Sequence, residues 1–280
     1  MRFAAPDSLT APARTRIAIA LYAAVLLEGA MLSVPGPTLD SLASMTGSNL
    51  GGIGVLFTAN GLGFVAGALM AGRLFARVVG TRLLAIALAA MGTMSLIIPT
   101  LGSLTGVVLI FAVIGMSIGV VDVGGNTLIV WLFGEEAVPH MNTLHLSWGV
   151  GAFVTPLVVA QIAVSTGQAH NVYTFFGAVM LLTAVWLLLV PSPDVPADAR
   201  PSANPAVMRR HARFIALMGV LFFIHVGAEL AFGGWVYSYA TVSQIGRRRR
   251  QGCSTRSSGA GSWLGGSWRS LCPAGSAPPQ

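Results

Sequence analysis

The stretch LTGVVLIFAVIGMSIGVVDVGGNTLIVW, residues 104–131, decides how the rest of the chain is read. Asp122 is its only charged side chain, and nothing in it alternates between polar and apolar. At about 1.5 Å of rise per residue, some 20 apolar residues cross the roughly 30 Å hydrocarbon core of a bilayer as a helix. Lipid offers a backbone no hydrogen-bonding partner, so a continuous apolar run of this length reads as a helix that satisfies its own N–H and C=O groups. A β-barrel would instead show alternating runs of about ten residues.

Six more runs share this character, at 17–39, 51–71, 83–100, 144–165, 173–190 and 214–239. The composition agrees. Of 280 residues 54% are hydrophobic and 9% charged, whereas a soluble domain carries about 25% charge. A water-soluble globule of this size could not coat its surface with so few charges. The expected fold is therefore an all-α polytopic membrane protein of about seven transmembrane helices. The first run is read as a retained span and not a signal peptide, because it exceeds the usual 7–15 apolar residues and carries Glu28 at its centre.

The formal net charge of +7 does not indicate nucleic-acid binding, because of where it sits. Residues 1–246 hold ten Arg against nine acids, and residues 247–280 hold six Arg and no acid. There is no lysine, which excludes a Walker-type phosphate loop, and both cysteines, Cys253 and Cys272, lie in the last segment. No catalytic set, cofactor or metal site is expected. Arginine also sets the orientation. Arg14 and Arg16 precede the first span, Arg73, Arg77 and Arg82 lie between the second and third, and Arg200, Arg209, Arg210 and Arg213 between the sixth and seventh. The N-terminus, residues 1–16, is expected in the cytoplasm of a multi-pass cell-membrane protein. Residues 17–190 form a six-helix bundle and 191–213, with five prolines, a cytoplasmic linker. Residues 214–239 form the seventh helix. Residues 240–280 read as a disordered basic tail, with the Arg, Gly, Ser and Pro mixture that a shifted reading frame would give.

Ionisable groups at mid-bilayer cost about 2.5–3.5 kcal/mol or more to insert, so they mark function by default. Three acids qualify, Glu28, Asp122 and Glu229, on spans 1, 4 and 7. Asn126 lies one turn after Asp122, and His225 one turn before Glu229. Glu28 and Asp122 are the candidate ion-coupling groups. Asn60, Asn126, Trp148, His225, Glu229 and Trp235 are candidates for binding a hydroxyl-rich ligand, since aromatic faces beside amides and carboxyls suit a sugar. The alternatives are that each acid is protonated and structural, that His225 is a packing histidine, and that Trp235 anchors at the membrane interface.

Four stretches carry a family resemblance. Residues 67–82, GALMAGRLFARVVGTR, resemble the loop between spans 2 and 3 of the Major Facilitator Superfamily, with Gly72, Arg73, Arg77, Gly80 and Arg82 at its marked positions. Residues 121–131, VDVGGNTLIVW, residues 142–156, NTLHLSWGVGAFVTP, and residues 225–239, HVGAELAFGGWVYSY, are similar to the fourth, fifth and seventh helices of its fucose-permease branch. That branch takes in proton-linked sugar symporters and sodium-dependent glucose transporter relatives. Two positions depart from the pattern: Ala76 stands where the loop carries an aspartate, and Pro156 lacks the adjacent glycine of an antiporter motif.

The resemblance implies a 3+3 helical repeat in residues 17–190, a twelve-span parent of which this is the N-terminal half plus one helix, and an ion-coupling and sugar site around Glu28 and Asp122. The expected function is secondary active transport, a small-molecule substrate (a sugar) moving with a proton or sodium. The alternatives are an exporter of small amphiphiles from the same superfamily, or an inactive fragment that needs its missing half.

Overall fold

The computed structural model describes residues 9–75 and 77–193, and then 210–214, 216–221, 224, 227–228, 231–233, 235–236, 239 and 243. Of the expected site, His225 and Glu229 lie outside the described residues, as do Ala76, most of the linker and all but Ser243 of the tail.

The described chain is all-α. Eight helices follow in order: α1 Ala11–Ser33, α2 Pro35–Met45, α3 Leu50–Ile53, α4 Val55–Leu74, α5 Gly80–Ile97, α6 Leu104–Phe133, α7 Ala137–Thr166 and α8 Val172–Leu189. They make six crossings. The first is α1 and α2 together, because Pro35 has no N–H to continue the helix and Val34 closes α1 on the Ala30 carbonyl at 3.1 Å. The run 17–39 is thus kinked, which its unbroken apolarity hid. A helical stretch of 63 residues, Leu104–Thr166, would be about 95 Å long if straight. It folds back at Gly134, whose φ of 55° ends α6 and starts the turn into α7. Pro156 sits inside α7 without ending it. The described residues between 210 and 243 are helical, as expected of the seventh span.

Helix starts follow local chemistry. Ser103 Oγ accepts from the Gly106 N–H at 3.1 Å, capping α6, and Asn49 Oδ1 accepts from the Gly52 N–H at 2.7 Å, capping α3. At the end of α7, Gly167 adopts φ 78° and returns its N–H to the Ala163 carbonyl.

Packing is pairwise: span 1 against span 5 (α1 with α7), span 2 against span 4 (α4 with α6), and span 3 against span 6 (α5 with α8). Each pair is closed by glycine meeting backbone, with no room for a methyl. Gly63 and Gly67 of α4 lie against the Ala112 and Met116 carbonyls, and Gly115 and Gly119 of α6 against those of Asn60 and Phe64. Gly29 of α1 lies against the Trp148 carbonyl and Gly151 of α7 against that of Leu26. Gly92 of α5 and Gly177 of α8 face each other. Lipid tails are as apolar as leucine, so helices in a membrane associate through such close backbone contact.

These glycines expose an internal repeat. Gly29 and Gly115 are 86 residues apart, Gly63 and Gly151 88, and Gly92 and Gly177 85. Adding three to each span number turns the 1–5 pair into the 4–2 pair and returns the 3–6 pair to itself. Because alternate crossings run in opposite directions, the repeat is inverted.

Candidate functional site

Spans 1, 4 and 5 meet at a second glycine device. Gly125 of α6 faces Val25 of α1 and Leu144 of α7, and a methyl there would sit 2.8 Å from Val25 Cγ2. Its neighbour Gly124 turns the other way, onto Phe75 and Leu84. The Val25, Gly125 and Leu144 contact fixes a common level. One turn further from the arginine-bearing end of the bundle stand Glu28 on α1, Asp122 on α6 and Trp148 on α7. His145 follows Leu144 directly.

Glu28 is 3% exposed, and its Oε2 has no hydrogen-bond partner among the described residues. Asp122 is close enough for its charge to act on Glu28. A buried, unsatisfied carboxyl oxygen costs about 1–3 kcal/mol, so its retention inside an apolar helix calls for an explanation. Asp122 is half-buried and better served. The Asn126 amide donates to its Oδ1 at 3.1 Å and to its backbone carbonyl at 2.8 Å. This is the one-turn relation expected on α6. Asp122 also feels a third titratable group, the exposed His145 of α7.

His145 was not among the residues singled out from sequence. It lies inside a span, and that alone is the signal that marks ionisable groups at membrane depth.

A further polar set closes the arginine-bearing ends of the same three spans. The Tyr22 hydroxyl of α1 and His140 Nδ1 of α7 are hydrogen-bonded at 2.8 Å, and the His140 ring stacks on Phe133 of α6 with centroids 3.4 Å apart. At the opposite end of the bundle α2 is tied to the start of span 6, by Thr38 Oγ1 to the Tyr173 hydroxyl at 3.2 Å and by Ser41 Oγ to His170 Nδ1 at 2.8 Å.

The remaining expected positions lie elsewhere. Asn60 faces Gly115 across the α4–α6 contact, seven residues along α6 from Asp122 and so about 10 Å from its level. Trp235 lies at the far end of α4, its ring 6.0 Å from that of Phe57 and 3.4 Å from where a methyl at Gly54 would be. That is about 20 Å along the bundle from Asp122. Trp148 is half-buried at the level of Glu28, with its backbone against Gly29. In the loop motif, Gly72 has open space around it, and Gly80 opens α5 against the end of the Leu128 side chain. Arg73, Arg77 and Arg82 are exposed; Arg73 Nη1 donates to the Leu69 carbonyl at 3.3 Å.

Comparison with known proteins gives a consistent picture. The family model for the Major Facilitator Superfamily matches residues 21–272. Sodium-dependent glucose transporter 1A of Mus musculus is 28% identical over 258 residues, covering 79% of this chain and 60% of that protein. Sodium-dependent glucose transporter 1 of Homo sapiens is 28% identical over 259 residues, covering 79% of this chain and 50% of that protein. The Danio rerio protein of the same name is 35% identical over 150 residues, 52% of this chain and 24% of its own length. The chain thus spans between about half and three-fifths of the mouse and human relatives.

Proposed function

The chain belongs to the Major Facilitator Superfamily, is a multi-pass membrane transporter protein and not an enzyme, and from that premise we propose that it forms one wall of a cation-coupled sugar symporter. The carrying observation is Glu28, almost fully buried on α1 with a free carboxyl oxygen, facing Asp122 of α6. Burial disfavours charge, so a carboxyl pair of this kind exchanges a proton or a small cation readily when the cavity opens to one side and then the other. Asn126 and the rim of Trp148 supply the hydrogen-bonding and apolar contacts that a sugar needs. His225, Glu229 and Trp235 would belong to the opposing wall. The arginine-bearing end faces the cytoplasm.

Alternating access needs two walls rocking about a fixed site, so transport requires a second helical bundle beside this one. The names of the relatives support sodium as the coupling ion, and the carboxyl pair serves a proton equally well. The test is sugar uptake into vesicles holding this chain together with a C-terminal half from a relative, under a proton or a sodium gradient in turn. Glu28→Gln and Asp122→Asn should abolish accumulation against a gradient while sparing downhill exchange. Unchanged accumulation in both variants would refute the coupling role, and the effective gradient identifies the ion.

A further inference from the structure

We infer that α2 is a hinged gate on the outer side of the site, turning about Pro35, Gly36 and Pro37 and latched to the start of span 6 by Ser41 with His170 and by Thr38 with Tyr173. The inference deepens the symport reading and rests on it.

Span 1 is one crossing in two pieces, and the pieces are attached to different neighbours. α1 belongs with span 5, because Gly29 and Gly151 bring its backbone against α7 with no space for a methyl. α2 is tied instead to the residues that open span 6. The joint between the pieces reads PGP, residues 35–37. Proline has no N–H, so neither Pro35 nor Pro37 donates to the carbonyl one turn back, that of Met31 or of Ser33. A helix that loses two of its own bonds within one turn bends there more easily than anywhere else along it.

The latch has two rungs, one turn apart on α2. The Ser41 hydroxyl accepts from the His170 backbone N–H at 3.3 Å and lies 2.8 Å from His170 Nδ1, so one hydroxyl holds one residue twice. The Thr38 hydroxyl donates to the Val34 carbonyl at 2.8 Å, and its oxygen accepts from the Tyr173 hydroxyl at 3.2 Å. The receiving side is fixed. Tyr173 is fully buried with its ring edge-on to Phe111 of α6, centroids 6.1 Å apart, and His170 is buried as well. Leu39 and Leu42 of α2 are buried too, but lipid tails accept leucine, whereas a buried hydroxyl parted from its partner is penalised. The two rungs therefore define the latched position and restore it. Two hydrogen bonds are also few enough to break and remake in each turn of a transport cycle. Glu28 lies seven residues before Pro35, about 10 Å along the helix. α2 is thus the part of span 1 between Glu28 and the outer surface, and it turns while Glu28 stays with α1 and span 5.

The test is amide hydrogen exchange of the 280-residue chain in lipid nanodiscs, read by mass spectrometry on peptides from α1, α2 and α6. Ser41→Ala combined with Tyr173→Phe removes both rungs and little else. Exchange across α2 should rise about tenfold while α1 and α6 keep their protection. Adding Pro35→Ala and Pro37→Ala gives the Met31 and Ser33 carbonyls their donors, and should bring α2 back toward the rate of the unsubstituted chain. Unchanged exchange in α2 of the latch variant would overturn the inference. So would a rise shared equally by α1 and α6, which is loss of packing and not a hinge. Should the latch variant fail to fold, the unsubstituted chain decides: α2 amides exchanging together and faster than those of α1 support the hinge, and equal rates overturn it. No transport enters this measurement. A negative uptake result removes the symport reading and leaves the hinge, whereas uniform exchange removes the hinge and leaves symport.

Discussion

Glu28 and Asp122 share one level of the bundle on two helices that the inverted repeat makes equivalent, yet they are not equivalent positions. Glu28 directly precedes Gly29, whereas Asp122 follows the matching Gly115 by seven residues. The image of the pair under the repeat is Ile114 with Gly36, both buried and apolar. The scaffold is close to symmetric and its chemistry is not. An inverted repeat supplies two interchangeable cavities, one open to each side. Placing both carboxyls toward the arginine-bearing end makes the two sides inequivalent for an ion.

This asymmetry carries a stability cost that can be measured. Glu28 contributes an unsatisfied buried oxygen, and its apolar surroundings would accept a thioether of similar length. Glu28→Met should raise the unfolding free energy in detergent by about 1–3 kcal/mol. The image substitution Ile114→Glu should lower it by about 2.5–3.5 kcal/mol, because Ile114 is buried at membrane depth. Urea or sodium dodecyl sulfate titrations followed by circular dichroism would show both signs. A loss of stability in Glu28→Met would mean that the carboxyl is satisfied by a partner other than those described.

The glycine crossings predict a second contrast. Gly115→Val forces α4 and α6 apart, since any side chain there meets the Asn60 carbonyl. Overpacking of this kind costs about 1–3 kcal/mol, and here it strikes backbone, which does not yield as a side chain would. Gly72→Ala, with open space around it, should be neutral or slightly stabilising through helix propensity. Melting temperatures of the two variants in nanodiscs give the comparison, and equal losses would contradict the packing described.

Much of this architecture was legible in the sequence, and the exceptions are physical. The cores of all six described spans were readable from apolar length, because a bilayer leaves a helix as the only solution for such runs. Their ends were not. Span 5 was expected from 144, and α7 starts at Ala137, since His140, Asn142 and Thr143 lower the local hydropathy without breaking a helix. The fold of span 1 at Pro35 was masked by apolar residues on both sides. Glu28 and Asp122 were marked in the sequence as ionisable groups at mid-bilayer on spans 1 and 4. The positions of Asn60 and Trp235, about 10 and 20 Å along the bundle, needed helix registry, which one sequence without an internal alignment does not supply. The repeat of 85–88 residues was present all along in the glycines, but glycine pairs are too common in membrane helices to stand out before their partners are known.

The contact between Tyr22 and His140 offers the sharpest measurement, because two substitutions can each remove one hydrogen bond and little else. Tyr22→Phe deletes the hydroxyl and keeps the ring. His140→Phe deletes Nδ1 and keeps an aromatic plane on Phe133. Each single change should cost about 0.5–1.5 kcal/mol of unfolding free energy. The double variant should cost about as much as either single one, because the second substitution has nothing left to break. Strict additivity would mean that spans 1 and 5 do not meet at this end in solution. The consequence reaches function: this bond and the Phe133 stack tie together the ends of the three helices that carry Glu28, Asp122 and His145. A symporter that opens toward the arginine-bearing side must keep these helices moving as one wall. Under the symport proposed above, Tyr22→Phe should therefore slow exchange before it weakens sugar binding, and measuring exchange rate and apparent affinity on vesicles that also hold the C-terminal half separates the two effects.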